Sequence, residues 1–293
     1  MLNRLPNWIK TKDNINNSHK THNIKKILRL FNIKTVCEEA RCPNIRKCFS
    51  KPSIAFMILG RNCTRRCSFC SVNHSEPEPV DNSEPFKILE VIKNVGLKYI
   101  VITSVTRDDL IDGGAEQFAK TITILKTFHN DIKIEVLTPD FKGIKENIDK
   151  VITARPDVFN HNVETVPSLY PTIRPQADYL RSLNLLAYVK KKAPDIFTKS
   201  GIMLGLGENT DEVIEVMRDL RNCNCDILTI GQYLRPTKNN IPVKEYKSLE
   251  YFERLKKIAL NLGFKYVDSG PLVRSSMNAE NFFIKSIDRT DSQ

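Results

Sequence analysis

The chain of 293 residues has no apolar stretch approaching the ~20 residues that a bilayer-spanning helix needs. Its first 26 residues lack an apolar core followed by small residues, so we expect no secretory signal and a cytoplasmic location. No internal repeat stands out, and low complexity is confined to polar arms at the two ends. These absences indicate a globular protein with no membrane partner, in a compartment that keeps thiols reduced.

Acidic residues are scarce at the start of the chain. The first 50 residues hold eleven Lys or Arg and three Asp or Glu, a net charge of +8 out of +11 for the whole chain. This excess is compatible with an acidic partner, but a sequence rich in Lys, Asn and Ile also accumulates surface lysine without function. Because few aromatic residues accompany these basic groups, we expect no nucleic-acid partner.

Three of the eight cysteines lie within eight residues, in the run CTRRCSFC from Cys63 through Cys67 to Cys70. A loop this short and an odd number of thiols disfavour disulfides. Three thiolates can hold an iron–sulfur cluster and leave one iron without a protein ligand, and the spacing differs from the Cys-x2-Cys pairs of zinc sites. A zinc or redox-inert thiol cluster is the alternative.

A second group of three thiols, Cys37, Cys42 and Cys48, lies shortly before the first and has the spacing Cys-x4-Cys-x5-Cys. A zinc ion would need a fourth ligand from elsewhere, and no histidine lies nearby. We therefore interpret this group as the ligands of a second iron–sulfur cluster.

Between and after these motifs, predicted strands alternate with predicted helices. The strands are expected at 54–59, 99–103, 132–137, 158–163, 197–204 and 227–230, with an edge strand at 264–267. Helices are expected at 23–33, 86–95, 115–128, 144–153, 177–192, 210–222 and 248–262. This alternation predicts an α/β protein with a parallel sheet, a partial (β/α)6 TIM-type barrel with N-terminal and C-terminal extensions.

Polar residues cluster where the predicted strands end. Because ligands bind at the carboxyl edge of parallel sheets, this clustering predicts a pocket that includes Thr103, Ser104, Asn162, Glu164, Gly205 and Gln232. Arg174 is a further candidate for a carboxylate in the pocket. For Glu164, a salt bridge to Arg174 or Lys199 is the alternative, and His161 is more simply a buried wall residue.

The two thiol motifs in this order resemble the lipoyl synthase family of the radical S-adenosylmethionine (SAM) enzymes. The resemblance covers about residues 24–280 and includes EEARCPN (38–44), AFMILG (55–60), TSVTRDDL (103–110), DGGA (112–115), NHNVET (160–165), MLGLGE (203–208), GQYL (231–234) and RSSM (274–277). Where related enzymes have a Gly-Gly-Glu segment that binds SAM, this chain has Ala115. The residue after the serine pair, Met277, is more usually aromatic in the family.

The resemblance implies two 4Fe-4S clusters and SAM as cofactors. Cys63, Cys67 and Cys70 would bind the radical cluster, and Cys37, Cys42 and Cys48 the auxiliary cluster, with Ser276 as its fourth ligand. The strand-end residues and Arg174 would bind SAM. A surface serine pair is the alternative for Ser276. The implied division is an N-terminal extension at 1–50, a radical SAM barrel at 51–270 and a tail at 271–293 that closes over the auxiliary cluster.

The implied reaction is sulfur insertion at C6 and C8 of an octanoyl group on a lysine of a lipoyl carrier domain, with the auxiliary cluster as the sulfur source. The implied partners are 2-oxoacid dehydrogenase E2 subunits, the glycine cleavage H protein, flavodoxin or ferredoxin as electron donor, and iron–sulfur assembly factors. The rivals are another radical SAM sulfur inserter, such as a biotin synthase-like or methylthiolating enzyme, and a zinc-binding module for nucleic acid.

Overall fold

The computed structural model describes residues 6–9, 16–51 and 53–277. One sheet of eight strands forms its centre, and the strands follow one another in chain order across the sheet. The strands are β1 Lys34–Thr35, β2 Ala55–Ile58, β3 Tyr99–Ser104, β4 Lys133–Leu137, β5 Val158–Asn160, β6 Phe197–Leu204, β7 Ile227–Gln232 and β8 Tyr266–Gly270. Each pair from β2 to β8 is parallel, and β1 pairs antiparallel with β2.

Helices connect the strands and cover the outer face of the sheet. They are α1 Asn16–Leu30, α2 Val36–Glu39, α3 Ile45–Ser50, α4 Glu84–Val95, α5 Ala115–Phe128, α6 Lys145–Thr153, α7 Tyr170–Ile173, α8 Tyr179–Lys192, α9 Thr210–Asn222 and α10 Leu249–Asn261. Short 3₁₀ segments lie at Asn7–Ile9, Phe141–Gly143 and Pro167–Leu169.

The strand–helix alternation confirms the predicted partial (β/α)6 barrel. Six strands, β2 to β7, are each followed by a long helix, and β8 adds the expected seventh parallel strand at the edge. In the part of the chain that the structure describes, β1 and β8 are the two ends of the sheet and do not pair, so the barrel stays open.

Two features at the start of the chain differ from the sequence prediction. The first helix begins at Asn16 rather than Asn23, because no Gly or Pro interrupts the segment between them and Ile24 and Leu28 anchor the helix in the core. The strand β1 was not predicted, because two residues carry no readable periodicity. Its pairing with β2 brings the segment that contains Cys37 against the open side of the barrel.

The core lies between the sheet and its helices. Phe56 on β2, Phe118 on α5, Phe159 on β5 and Phe252 on α10 are almost completely buried. Burial of such side chains is the main stabilising contribution in a fold of this kind. Among the described residues, no helix combines the length and apolar character of a bilayer span.

His161, directly after β5, joins two strands to a helix. Its Nδ1 lies 2.8 Å from the carbonyl oxygen of Thr138, and its Nε2 lies 3.1 Å from the hydroxyl of Ser182 on α8. The ring is buried, which confirms its interpretation as a wall residue. Burial, with the nearby positive charge of Arg174, lowers its pKa from 6.5 to about 4.

We expect His161 to make the fold sensitive to acid. The neutral ring is favoured in the folded state, so its contribution is complete above pH 6.5 and is lost as the pH falls towards about 4. Through this residue, the free energy of unfolding should be about 3 kcal/mol lower near pH 4 than above pH 6.5. Urea unfolding of the metal-free protein between these pH values measures it. His161→Gln should flatten the slope, whereas substitution of the exposed His22 by Gln should not; equal slopes in all three proteins would contradict this account.

Candidate functional site

A cavity of about 1080 Å³ opens between the inner face of the sheet and the segments that border its open side. Both thiol motifs, the carboxyl ends of the parallel strands and residues 273–276 line it. Five of the six motif thiols line this cavity, namely Cys37, Cys42, Cys63, Cys67 and Cys70. Cys48 is not in the lining, but it lies close enough to Cys42 for the two thiols to interact electrostatically. The structure therefore brings the two predicted thiol groups to one chamber.

The first thiol loop begins directly beyond β2 and is held to its neighbours by the backbone. The amide of Cys63 donates to the carbonyl of Asn73 at 2.8 Å, and its sulfur accepts from the amide of Thr106 at 3.3 Å. Further along, the amide of Ser68 donates to the carbonyl of Ile173 at 3.0 Å. These contacts fix both ends of the loop independently of any bound group.

Arg65, between the first two thiols of this loop, ties it to two further strand ends. Its buried guanidinium contacts both carboxylate oxygens of Asp108, at 2.7 and 3.0 Å, and both of Asp140, at 2.6 and 3.0 Å. Arg181 also contacts Asp140, at 3.2 Å. Although burial opposes ionisation, the Arg65 guanidinium holds the pKa of Asp140 well below its usual range. Nothing in the local sequence around Arg65 indicates this role, although Asp108 and Asp109 after β3 place acidic groups where a buried cation can bind.

Two thiols of the first loop, Cys67 and Cys70, are protonated in the absence of metal. Burial raises the pKa of Cys67, against the opposing positive charge of Arg174, and raises that of Cys70 to about 12. Because metal ligands must be thiolates, iron has to displace these protons when it binds.

The second thiol motif occupies the short helices α2 and α3. Thr35 caps α2 by accepting from the amide of Glu38 at 3.3 Å, and the amide of Cys42 donates to the carbonyl of Cys37 at 3.0 Å. Burial, followed by the neighbouring Cys42, raises the pKa of Cys37 to about 12 and that of Cys48 to about 11.

Residues 271–277 turn back from β8 along the inner face of the sheet. The carbonyl of Val273 lies so close to Gly231 that a side chain there would stand 2.3 Å from it. The side-chain amide of Asn44, in the second thiol motif, donates to the carbonyl of Leu272 at 2.6 Å and to the sulfur of Met277 at 3.3 Å. The tail is therefore joined to the segment that carries Cys42 and Cys48, and Ser276 lines the shared cavity.

Four of the six predicted strand-end residues, Thr103, Ser104, Asn162 and Glu164, line the cavity together with Arg174. Asn162 donates to Glu164 at 3.0 Å, and Arg174 donates to the carbonyls of Asn162 and Val163 at 3.1 and 3.0 Å. No salt bridge between Glu164 and either Arg174 or Lys199 is formed within the described residues; Lys199 instead pairs with Glu135. Burial raises the pKa of Glu164, against the opposing charge of Arg174.

Gly205 and Gln232 are not brought together with these residues. Gln232 is completely buried, and its amide donates to the carbonyls of Leu204, Tyr233 and Glu245 at 2.9 to 3.2 Å. Gly205 has a φ of +94°, and a side chain there would stand 2.2 Å from Gln232. The two residues pack against each other beside the cavity, and their contact with a cofactor stays a prediction.

Arg274 was not singled out from the sequence, although it precedes the serine pair. It lines the cavity, and its side chain interacts electrostatically with Cys42 and Glu164, one residue from each side of the chamber. The Nη1 atom donates to the carbonyl of Val273 at 2.6 Å. Its proximity to both groups depends on the course of the tail, which local sequence does not encode.

The polar groups of the cavity fit the implied cofactors. The hydroxyl of Ser104, the Oδ1 of Asn162 and the Nε of Arg174 are buried and have no hydrogen-bond partner among the described residues, so they can contact a polar ligand such as SAM. Within the same residues, no three His, Cys, Asp or Glu side chains converge closely enough for a single ion.

Comparison with known proteins agrees with this geometry. The Radical SAM superfamily matches residues 57–220, and the N-terminal domain of lipoyl synthase of the Radical SAM family matches residues 2–42. Methylornithine synthase has a similar fold, with a TM-score of 0.53 and 14% identity over 90% of each chain. Streptococcus suis SuiB gives a TM-score of 0.56 and 16% identity, over 78% of this chain and 53% of that one. The chain is a member of the radical SAM superfamily.

Similar sequences show to which family of the superfamily the chain belongs. Lipoyl synthase of Alkaliphilus metalliredigens is 50% identical over 278 residues, which is 95% of each chain. Lipoyl synthase of Caldanaerobacter subterraneus subsp. tengcongensis is 52% identical over 277 residues, which is 94% of this chain and 96% of the relative. The chain therefore belongs to the lipoyl synthase family, whose cofactors are SAM and 4Fe-4S clusters.

Arg65 and its neighbour Arg66 offer a matched test of the first loop. Arg65→Lys keeps the charge but loses the forked contacts to two carboxylates, so we expect the free energy of unfolding to fall by about 2 kcal/mol. Arg66 is exposed, and Arg66→Lys should change it by less than about 0.5 kcal/mol. Urea unfolding of the metal-free proteins measures both; equal effects would show that Arg65 does not secure the loop.

Proposed function

We propose that this chain inserts sulfur at C6 and C8 of an octanoyl group carried on a lysine of a lipoyl carrier domain. Its identity of about 50% to lipoyl synthases over nearly the whole chain supports this activity. The observation that carries the proposal is that the two thiol motifs, one before β2 in the chain and one after it, line the same cavity with five of their six thiols. Such an arrangement lets one group serve the radical chemistry and the other the sulfur supply within a single chamber.

We assign Cys63, Cys67 and Cys70 as the ligands of the radical cluster, and Cys37, Cys42, Cys48 and Ser276 as the ligands of the auxiliary cluster. When bound, the first cluster with SAM supplies a radical able to break an alkyl C–H bond, and the second supplies sulfide. General acid–base chemistry cannot open such a bond, because the C–H group has no acidic proton. A hydroxyl oxygen beside three thiolates is a poor iron ligand, which suits a corner from which iron has to leave.

The strand-end residues are assigned to SAM. Thr103 donates its hydroxyl to the carbonyl of Leu137 at 3.0 Å, whereas Ser104, Asn162 and Arg174 retain polar atoms for a ligand. The buried carboxyl of Glu164 can accept from an ammonium or ribose hydroxyl group. Gly205 and Gln232 lie beside this set, and their packing fixes the loop after β6.

The octanoyl chain requires an apolar surface, and the cavity provides one. Met57, Val105 and Leu137 line it from the sheet side, and Val36 and Ala40 line it from the second thiol motif. These side chains bury the alkyl chain and exclude water from the carbons that react.

The three parts of the chain have separate roles in this proposal. Residues 1–50 carry the auxiliary motif, residues 51–270 form the radical SAM barrel, and the tail at 271–293 supplies Ser276. That the tail closes over the auxiliary cluster stays a prediction, of which the part on 278–293 lies outside the described residues. Asn44 supports this division, because it joins the first part to the third through Leu272 and Met277.

A lipoyl carrier is the substrate that the family implies. We propose that E2 subunits of 2-oxoacid dehydrogenases and the glycine cleavage H protein are the carriers, with flavodoxin or ferredoxin as electron donor, iron–sulfur assembly factors as loading partners and the cytoplasm as location. The net charge of +8 in the first 50 residues suits an acidic carrier domain.

The activity is tested by a single turnover of the iron-loaded protein with an octanoyl-lysyl peptide, SAM and reductant. Mass spectrometry should show a product that has gained two sulfur atoms, which is a dithiol under the reducing conditions of the assay and loses two hydrogen atoms only when it is oxidised to the cyclic disulfide. Sulfur insertion into dethiobiotin, or no insertion by a protein with full iron content, would contradict the proposal.

Iron and sulfide analysis tests the two ligand sets. The reconstituted protein should hold about eight irons and eight sulfides per chain, as two cubane clusters require. Replacing Cys63, Cys67 and Cys70 together by Ala, or Cys37, Cys42 and Cys48 together, should each leave about four irons. Cys223→Ala is the control, because Cys223 lies outside both motifs and outside the cavity lining. Complete loss of iron in either triple variant would show that the two sets are not independent.

Carrier binding should depend on salt. If the N-terminal charge attracts an acidic domain, raising ionic strength from about 50 to about 500 mM should weaken the complex measurably. Lys26→Glu with Arg29→Glu, both exposed on α1, should weaken it at low salt, whereas Lys191→Glu with Lys192→Glu on α8 should not. Titration calorimetry with an octanoylated carrier domain measures this. Binding that is insensitive to salt would show that the charge of the first 50 residues does not attract the carrier.

A further inference from the structure

Lys199 carries a completely buried ammonium inside the partial barrel. It lies on β6, and its Nζ is 2.9 Å from each carboxylate oxygen of Glu135 on β4. The same Nζ donates to the backbone carbonyl of Ser275, in the tail, at 2.5 Å. Tyr99 and Asn160 also donate to Glu135, each at 2.9 Å. Hydrogen bonds therefore satisfy both members of the charge pair, and the bond from Lys199 to Ser275 connects the barrel to the tail.

The ion pair is not needed to fill the barrel. Taking two charges out of water is costly, and well-packed apolar residues of similar volume often stabilise a protein as well or better. What an apolar pair cannot provide is a directed hydrogen bond to a backbone carbonyl. The contact between Lys199 and the Ser275 carbonyl is therefore the feature that distinguishes this arrangement from ordinary core packing.

The tail is shaped to reach this ammonium. The tail passes from β7 to β6 between Val273 and Ser275. The carbonyl of Val273 lies against Gly231 on β7, and the hydroxyl of Ser275 lies against Gly201 on β6, where a side chain would stand 3.1 Å from it. Asn162 donates to that hydroxyl at 2.7 Å. Ser275 is thus held through both its carbonyl and its side chain. Within the described part of the chain, the hydroxyl of the next residue, Ser276, makes no hydrogen bond of its own and lines the cavity.

We propose that Lys199 is a positioning residue for Ser276. By holding the carbonyl of Ser275 from inside the barrel, it orients the following residue so that the Ser276 oxygen faces the chamber of the auxiliary thiols. This inference rests on the proposed assignment of Ser276 as a ligand of the auxiliary cluster. Lys199 itself contacts neither substrate nor cofactor, and it acts through the backbone of the tail.

The test compares variants that keep the fold. Lys199→Met alone leaves Glu135 buried without a counter-charge, so the informative protein is Lys199→Met with Glu135→Gln. The Gln side chain can still bond to Tyr99 and Asn160, and no charge stays unpaired. Tyr99→Phe is the matched control, because it removes a contact to Glu135 and keeps the hydrogen bond from Lys199 to the carbonyl of Ser275. Thermal unfolding establishes that each variant is folded.

The first readout is hydrogen exchange of the metal-free proteins. In the double variant, the peptide that covers residues 274–277 should exchange about tenfold faster or more, since a hydrogen bond from a charged donor is lost. Exchange in β4 and β6 should stay slow, and Tyr99→Phe should behave like the wild type. Unchanged exchange in the tail of the double variant would overturn the inference.

The second readout is the electron paramagnetic resonance spectrum of the loaded proteins, with Ser276→Ala as reference. The double variant should reproduce the spectral change of Ser276→Ala, and combining all three substitutions should add nothing. A wild-type spectrum in the double variant, or additive changes when all three substitutions are combined, would overturn the role of Lys199 but not the assignment of Ser276 as a ligand. An unchanged spectrum in Ser276→Ala itself would overturn the ligand assignment, and the inference with it.

Discussion

The open sheet is the constraint on which the rest of the structure depends. A closed eight-stranded parallel barrel fills its interior with layers of side chains. Here seven parallel strands, β2 to β8, curve without closing in the described part of the chain, and a cavity of about 1080 Å³ stays between them. The segments that border the opening, the thiol motif before β2 and the tail after β8, then become walls of the site. The strand β2 thus has one thiol group before it in the chain and the other after it.

Buried positive charge is the second organising feature. Arg65, Arg174, Lys199 and Arg274 have buried or half-buried side chains at or beneath the cavity, and each donates hydrogen bonds to carboxylates or backbone carbonyls. Isolated buried charges are very costly, so each of these contacts fixes the segments that it joins. Iron–sulfur clusters held by the motif thiols would bring negative charge into the same volume, and these cations would offset it. The positive charge of Arg174 likewise opposes the rise in the pKa of Cys67 that burial causes.

Local sequence predicted the elements and the thiol groups well. The apolar run before Cys63, the helical spacings of α4, α5, α6, α8, α9 and α10, and the strand ends at Thr103, Asn162 and Glu164 all depend on residues close in the chain. Contacts between distant residues were not accessible in this way. Lys199 and Glu135 are 64 residues apart, and Asn44 and Leu272 are 228 apart. Gly205 and Gln232 follow strands as predicted, but their packing against each other places them beside the cavity rather than in its wall.

The central claim is that two clusters occupy one chamber, and diffraction at the iron absorption edge tests it most directly. Crystals of the iron-loaded protein should show two separate anomalous peaks in this cavity. One should lie against Cys63, Cys67 and Cys70, and the other against Cys37, Cys42, Cys48 and the hydroxyl of Ser276. A single peak, or a second peak outside the cavity or away from Ser276, would contradict the account.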